Sequence, residues 1–323
     1  MTVREVTVHH CGGMAFLARN SEEFHLDGFK VTPSPCFRRL VSASDDAVHL
    51  ADCRGRITIE NGLLENQWDD AINIHGIYRA FRRRDVGMPF LFLAARHYQQ
   101  FGLEAARAGE TLEFIDTDTL QALGNAVVKN IRRLTEQISS VEFTGATPAG
   151  VKDGNAARNL SAVPEEVVIR SCTMRWSKPR GILVSGVKKA VIENNYFHTA
   201  GAVICVAGDA NFWFESGPVE RLLIRNNVFD HCNFMTAAAR RALIVIEPEI
   251  PRLLPDFRYH GEIAIRDNQF LLFALPAVYA VSTAAVEFSG NEIVPDDPAL
   301  SAKGTDELLT TVNCGEAHSR DQV

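Results

Sequence analysis

The 323-residue chain has no long hydrophobic run, no block of one charge and no paired cysteine motif. Apolar stretches such as Ala202 to Val206 and Ala242 to Ile246 fall far short of the roughly 20 residues a membrane helix needs. No membrane span is expected. Thirty-three basic against forty acidic side chains give a formal charge of −7, without a Lys/Arg cluster large enough to grip nucleic acid. No cationic segment followed by an apolar stretch opens the chain, so no export signal is read there. The seven cysteines, at 11, 36, 53, 172, 205, 232 and 314, are odd in number and none forms a CxxC pair. They read as small buried hydrophobes, not as a disulfide frame or zinc site. With 46% hydrophobic and 23% charged residues, the composition is otherwise that of a globular protein with a large core.

What is present is repetition. A pattern of alternating apolar positions, a polar corner and a further apolar position recurs six times. It begins at Ile57 (Ile-Thr-Ile-Glu-Asn-Gly-Leu), Val167, Ala190 (Ala-Val-Ile-Glu-Asn-Asn-Tyr-Phe), Leu222 (Leu-Leu-Ile-Arg-Asn-Asn-Val-Phe), Ile263 and Val286. About ten residues after most copies comes a small residue and an apolar strand, as at Ala71, Gly181, Ala202, Ala242 and Ala277, with earlier instances at Met14 and Ala47. Short strands joined by Asn/Gly corners predict an all-β fold, a right-handed parallel β-helix of about six or seven coils. The asparagines at 194, 195, 226, 227, 268 and 291 are expected to tolerate left-handed backbone and to bond the corners above and below.

One interval breaks the period. The copies at Ile57 and Val167 are separated by a segment holding basic Arg82-Arg83-Arg84, short strands at Leu112 and Val141, and a turn-rich loop from Thr147. The expected organisation is a first part of the β-helix over residues 1–78, an inserted β-rich, barrel-like domain over 79–160, a second part of the helix over 161–296, and a disordered tail over 297–323.

Equivalent positions on successive coils stack one strand spacing apart, roughly 4.8 Å. Alignment of the small-residue strands places Asp45-Asp46 before Ala47, Asp69-Asp70 before Ala71 and Pro179-Arg180 before Gly181, with Arg240-Arg241 before Ala242 further on. Asp46, Asp70 and Arg180 then share a column. Carboxylates gathered on one face repel each other, so packing does not call for them. Acid and base catalysis of glycoside hydrolysis uses such a group, one carboxyl protonating the leaving oxygen and another activating water. Corner capping and Ca²⁺ binding are the other uses of the same pattern.

Three segments narrow the choice. Ser44-Asp-Asp-Ala-Val-His-Leu-Ala-Asp-Cys-Arg-Gly, Glu65-Asn-Gln-Trp-Asp-Asp-Ala-Ile-Asn-Ile-His-Gly and Gly208-Asp-Ala-Asn-Phe-Trp-Phe-Glu-Ser-Gly resemble the α-1,3-galactosidases of glycoside hydrolase family 110. The resemblance covers residues 3 to about 295. It implies an exo-acting, inverting glycosidase without metal or other cofactor. The implied substrate is a glycan ending in α-1,3-linked galactose, branched as in the blood group B determinant or linear. The family's three active-site aspartates fall on Asp46, Asp69 and Asp70. By analogy with polygalacturonases, Asp69 is assigned as general acid and Asp46 with Asp70 as the pair holding water. Substrate contacts are expected from His75, Arg180, Asp209, Trp213 and Glu215, more weakly from Arg54. His9, His10, Asp52, Asp116 and Asp118 are expected to be solvated.

Family members carry an export signal and further coils before the position of Val3, so a shortened solenoid is expected here, with secretion or a periplasmic location expected of full-length relatives. A homodimer is compatible with the sequence. Two alternatives remain open, a non-catalytic glycan-binding or structural β-helix and a calcium-dependent polysaccharide lyase.

Overall fold

A computed structural model describes residues 1–83, 91–235, 241–272, 276–296 and 308–319. Among them run three long parallel sheets, two of nine strands and one of eight, and a closed six-stranded barrel. Each coil contributes one strand to each sheet, so the solenoid is a parallel β-helix. The first sheet shows why. Val167 pairs with Ile57 below and Ala190 above, and the column continues through Leu222, Ile263 and Val286. These side chains are at most 2% exposed. The column two residues on, Ile59, Ile169, Ile192, Ile224, Ile265 and Phe288, is wholly buried. The residue between them turns outward in every coil, which is the period-two alternation of a strand with one buried face.

The expected six or seven coils become nine strands in the first sheet among the described residues. Extra coils come from both ends. Glu22–Asp27 buries only Phe24 and Leu26 and joins Arg54–Glu60 in parallel, without an Asn corner to advertise it. The tail also departs from expectation. Residues 297–307 and 320–323 lie outside the described residues, as does Arg240, but Leu309–Val312 and Glu316–Ser319 are strands that pair in parallel with Val278–Val281 and Ala285–Phe288. Leu308 is fully buried, and Leu309 and Cys314 pack on the core. Threonines on the outward face hid this periodicity.

The two consecutive corner residues divide their labour. Asn194 and Asn226 take left-handed backbone, with φ of 56° and 54°, as do Ser171 and Asp267 in the same place. The next residue turns its amide inward. Asn195, Asn227, Asn268 and Asn291 form a ladder in which each amide nitrogen donates to the carbonyl of the coil below, for example Asn227 Nδ2 to Ile192 O at 2.9 Å. Each oxygen above Asn195 accepts from the backbone and side-chain nitrogens of the asparagine below it, as Asn227 Oδ1 does at 2.9 and 3.0 Å. Beside the ladder, Phe197, Phe229, Phe270 and Phe288 stack with centroids 4.6 to 5.6 Å apart. The cysteines are free thiols, and Cys53, Cys172 and Cys232 are buried.

The barrel is built from Arg79–Arg83, Leu91–Ala94, Thr111–Ile115, Ala122–Arg133, Ile138–Phe143 and Ala156–Asn159, all antiparallel, around Phe81, Phe114 and Val141. It closes where Ala80 pairs with Ala156. Asp52, expected in solvent, is 2% exposed and accepts from Arg79 Nη1 at 3.2 Å at the root of the barrel. Arg54 likewise meets Glu110 of the barrel at 2.5 Å instead of a ligand.

Replacing Asn227 by Ala leaves the Ile192 carbonyl and the Asn195 N–H buried without that partner, a loss of about 2–4 kcal/mol. Asn226→Gly, which keeps the left-handed backbone, is expected to cost less than about 1 kcal/mol. Urea unfolding of both variants checks the contrast; equal losses would remove the ladder from the stabilising features.

Candidate active site

The site forms on the third sheet, beside the barrel. Val48 pairs with Ile72 and Ile72 with Ile182, so the residues preceding these strands are stacked in the same register. Backbone bonds extend it, Ala47 N to Asp70 O at 3.0 Å and Ala71 N to Arg180 O at 3.2 Å. Asp46, Asp70 and Arg180 therefore occupy successive coils. Arg180 Nε donates to Asp70 Oδ1 at 2.7 Å, and the backbone N–H of Asp70 donates to Asp46 Oδ1 at 3.0 Å. Asp69 stands at the mouth, half-buried, with its Oδ1 3.1 Å from the Asp70 nitrogen. One oxygen from each of the three aspartates lies within 4.8 Å of the others. Arg180 supplies a cationic partner to this cluster and offsets part of the repulsion among its carboxyls.

The pocket over these residues has a volume of about 120 Å³. Asp45, Asn73, Trp213 and Glu215 line it, together with Tyr98 and Gln99 from the barrel. Gln100 Nε2 donates to Trp213 O at 3.1 Å, His97 stacks edge-on against Trp213, and Arg19 donates to Gln99 O at 3.0 Å. Two loops remote in sequence are thus clamped over one coil. The strand Glu215–Ser216 runs antiparallel to Gly76–Ile77, and a Cβ on Gly76 would come within 2.5 Å of Ser216 Oγ, so only glycine allows the approach.

Arg180, Trp213 and Glu215 all reach the pocket, where Trp213 is 45% exposed and offers a ring face. Two other expected substrate contacts do not stand as expected. Asp209 is 4% exposed, and its carboxylate accepts the backbone N–H groups of Asn211, Phe212, Trp213 and Phe214. It shapes the loop that carries Trp213. His75 is 6% exposed and lies behind His49, absent from the pocket lining. Its Nε2 is 3.0 Å from His49 Nε2, and His49 Nδ1 is 2.7 Å from Asp46 Oδ2. Sequence reasoning missed His49, Asn73, Tyr98 and Gln99. His49 and Asn73 occupy paired positions of adjacent strands, so the same alignment of coils could have found them.

Burial raises Asp46 to about 8, reinforced by the charges of Asp69 and Glu215 and opposed by the Asp70 N–H and Arg180. Burial also raises Asp69, against Arg180. Burial raises Asp70 well above the ordinary carboxylate range, against the guanidinium 2.7 Å away. At neutral pH Asp46 is a carboxyl that keeps its proton. Asp70 Oδ2 and Asn73 Oδ1 are buried without a protein donor. Both residues line the pocket.

The family model described as GLAA-B β-barrel domain II matches residues 92–156. Alpha-1,3-galactosidase A of Bacteroides fragilis is 31% identical over 98% of this chain and 52% of its own length. Alpha-1,3-galactosidase B of Bacteroides thetaiotaomicron is 34% identical over 91% of the chain and 48% of its own length. The B enzyme of B. fragilis is 35% identical over 90% and 51%. The chain is homologous to the α-1,3-galactosidases. It spans about half the length of the curated relatives it matches. Among solved structures, a tailspike of an Acinetobacter baumannii bacteriophage in complex with capsular saccharide overlaps 84% of this chain and 64% of its own at 8% identity, with a TM-score of 0.22. No helix among the described residues is long and apolar enough to cross a membrane.

The raised Asp46 carboxyl has a consequence for stability. Between pH 3.8, its value when unfolded, and about 8, the folded chain holds a proton that the unfolded chain releases. Wild-type stability therefore falls as pH rises through that window, by at most about 1.4 kcal/mol per pH unit. Asp46→Asn lacks this dependence, so its stability advantage should grow from pH 4 toward pH 8 in thermal or urea unfolding (~1 kcal/mol or more by neutrality). A difference that stays constant with pH would mean that Asp46 ionises normally in the fold.

Proposed function

We propose that the chain is an exo-acting glycosidase that removes terminal α-1,3-linked galactose from glycans, branched or linear. The observation that carries this reading is the cluster of Asp46, Asp69 and Asp70 around Arg180, at the floor of a pocket in a chain homologous to α-1,3-galactosidases. Glycoside hydrolysis needs one carboxyl to protonate the leaving oxygen and another to direct a nucleophile. Asp69, at the mouth, is the general acid toward the leaving sugar. Asp46 and Asp70, deeper in the pocket, hold the attacking water, with Arg180 fixing Asp70 and binding a sugar hydroxyl. Trp213 stacks on the apolar face of galactose, and Glu215 accepts a hydroxyl proton.

Direct attack by water inverts the anomeric centre, and inversion is the expected outcome. Acid and base in inverting enzymes are usually roughly 6.5–9.5 Å apart and in retaining enzymes roughly 5–5.5 Å. Proton NMR during hydrolysis of Galα1,3Gal distinguishes the two, because inversion releases β-galactose first and retention α-galactose.

Asp69→Asn is expected to lower kcat by roughly 10²–10⁴, measured as galactose release from Galα1,3Gal and from a fucosylated branched acceptor. Full activity in this variant would remove Asp69 from the mechanism. Binding of galactosides without release would favour a glycan-binding module. Loss of activity with chelator and the appearance of unsaturated sugar absorbance would favour a calcium-dependent lyase.

A further inference from the structure

The contacts behind Asp46 form a chain whose protons can be counted. Asp46 Oδ2 faces His49 Nδ1 at 2.7 Å, His49 Nε2 faces His75 Nε2 at 3.0 Å, and His75 Nδ1 faces the Gly76 carbonyl at 2.7 Å. A carbonyl only accepts, so His75 Nδ1 carries a hydrogen. Each of the other two gaps needs one hydrogen as well. Three hydrogens shared among one carboxyl and two imidazoles make the set neutral overall. One arrangement places no charge in this buried interior: His75 Nδ1–H donates to Gly76 O, His49 Nε2–H to His75 Nε2, and Asp46 Oδ2–H to His49 Nδ1. All three side chains are at most 6% exposed, which favours the uncharged form.

We propose that His49 and His75 form a two-imidazole proton relay that keeps Asp46 protonated and carries an additional proton from the pocket inward. This rests on the reading of Asp46 as a residue that holds the attacking water. When water attacks, its O–H bond breaks and its proton joins Asp46 Oδ1. The Oδ2 proton passes to His49 Nδ1, and the His49 Nε2 proton passes to His75 Nε2. His75 becomes an imidazolium with both nitrogens protonated, beside Glu215 Oε1 at 3.8 Å. After product leaves, the reverse shift returns this proton to the pocket, where it reprotonates Asp69, whose own proton went to the leaving oxygen, so no co-reactant is consumed.

Burial lowers both imidazoles, so a cation on the relay is short-lived. Glu215, Asp69 and Asp45 oppose this at His49, where Arg19 adds to it, and Glu215 and Asp52 oppose it at His75. In the proposed reaction neither His49 nor His75 contacts the sugar; both act through Asp46 and are positioning residues.

Two-bond proton–nitrogen correlation spectra of the full chain carrying ¹⁵N-histidine test the tautomers without substrate, with assignments from His49→Gln and His75→Gln. The expected result at pH 7 is His49 as the Nε2–H tautomer and His75 as the Nδ1–H tautomer. Both should persist in Asp46→Asn, whose amide N–H can donate to His49 Nδ1 in place of the carboxyl. His49 found as the Nδ1–H tautomer, or as an imidazolium, overturns the proposal. In turnover, His75→Gln is expected to lower kcat by on the order of 10² with KM unchanged and to alter the pH profile; an unaltered profile also overturns it. Because the spectra require no turnover, a chain that releases no galactose would fail the glycosidase reading while the relay is still decided.

Discussion

Parallel stacking in register, with each coil laying the same position over the one before, is the constraint on which the rest depends. For apolar residues it is favourable without further adjustment. Ile59, Ile169, Ile192, Ile224 and Ile265 each bury against a neighbour of the same shape. For polar residues it demands that every group find a partner one coil away. The inner asparagines meet this with an amide, which donates and accepts in the direction of the stack. Aspartate at such a position has only acceptors when ionised, so a column of aspartates must import donors or hold protons. The site uses both means, Arg180 for Asp70 and a retained proton for Asp46.

The insertion is tied to the same constraint. The chain leaves the solenoid after Ile77 and returns at Pro164, and after one register shift between Pro164 and Glu166 Val167 lies over Ile57. Its junction is polar and buried: Arg79 meets Asp52, Arg54 meets Glu110, and the Tyr78 and Tyr259 hydroxyls are 3.1 Å apart. These contacts fix the turn at Tyr98–Gln100 over the aspartates. A parallel sheet presents a nearly flat outer face. The barrel turn and the Trp213 loop convert that face into a pocket.

Much of this was legible because periodicity is a property of sequence. The corner copies, the columns of aliphatic residues and the placement of Asp46, Asp70 and Arg180 all follow from alignment of one coil on the next. What escaped was the direction of hydrogen bonds. Asp209 reads as a free carboxylate beside a tryptophan, yet four backbone N–H groups converge on it because the chain turns back on itself there. His75 reads as a pocket residue, but its coil places it behind His49. Asp52 reads as solvated because its partner, Arg79, is at the start of an insertion whose path no repeat describes. The last strands, Leu309–Val312 and Glu316–Ser319, lack the apolar alternation that marks interior coils, with Thr310, Thr311 and Val312 exposed.

The pattern of satisfied and unsatisfied groups separates scaffold from site. Along the asparagine ladder, the amide groups that face the core are bonded on both sides. In the pocket, Asp70 Oδ2 and Asn73 Oδ1 are buried and lack a protein donor, although each adds to the cost of folding. Burial without a partner is unfavourable in a column that already carries three carboxyls, and ordinary packing would replace such groups with apolar ones. Their acceptors are matched by hydroxyl donors, which a sugar presents around its ring. The asparagine corners therefore satisfy their polar groups within the stack, whereas Asp70 and Asn73 each keep an acceptor without a protein donor.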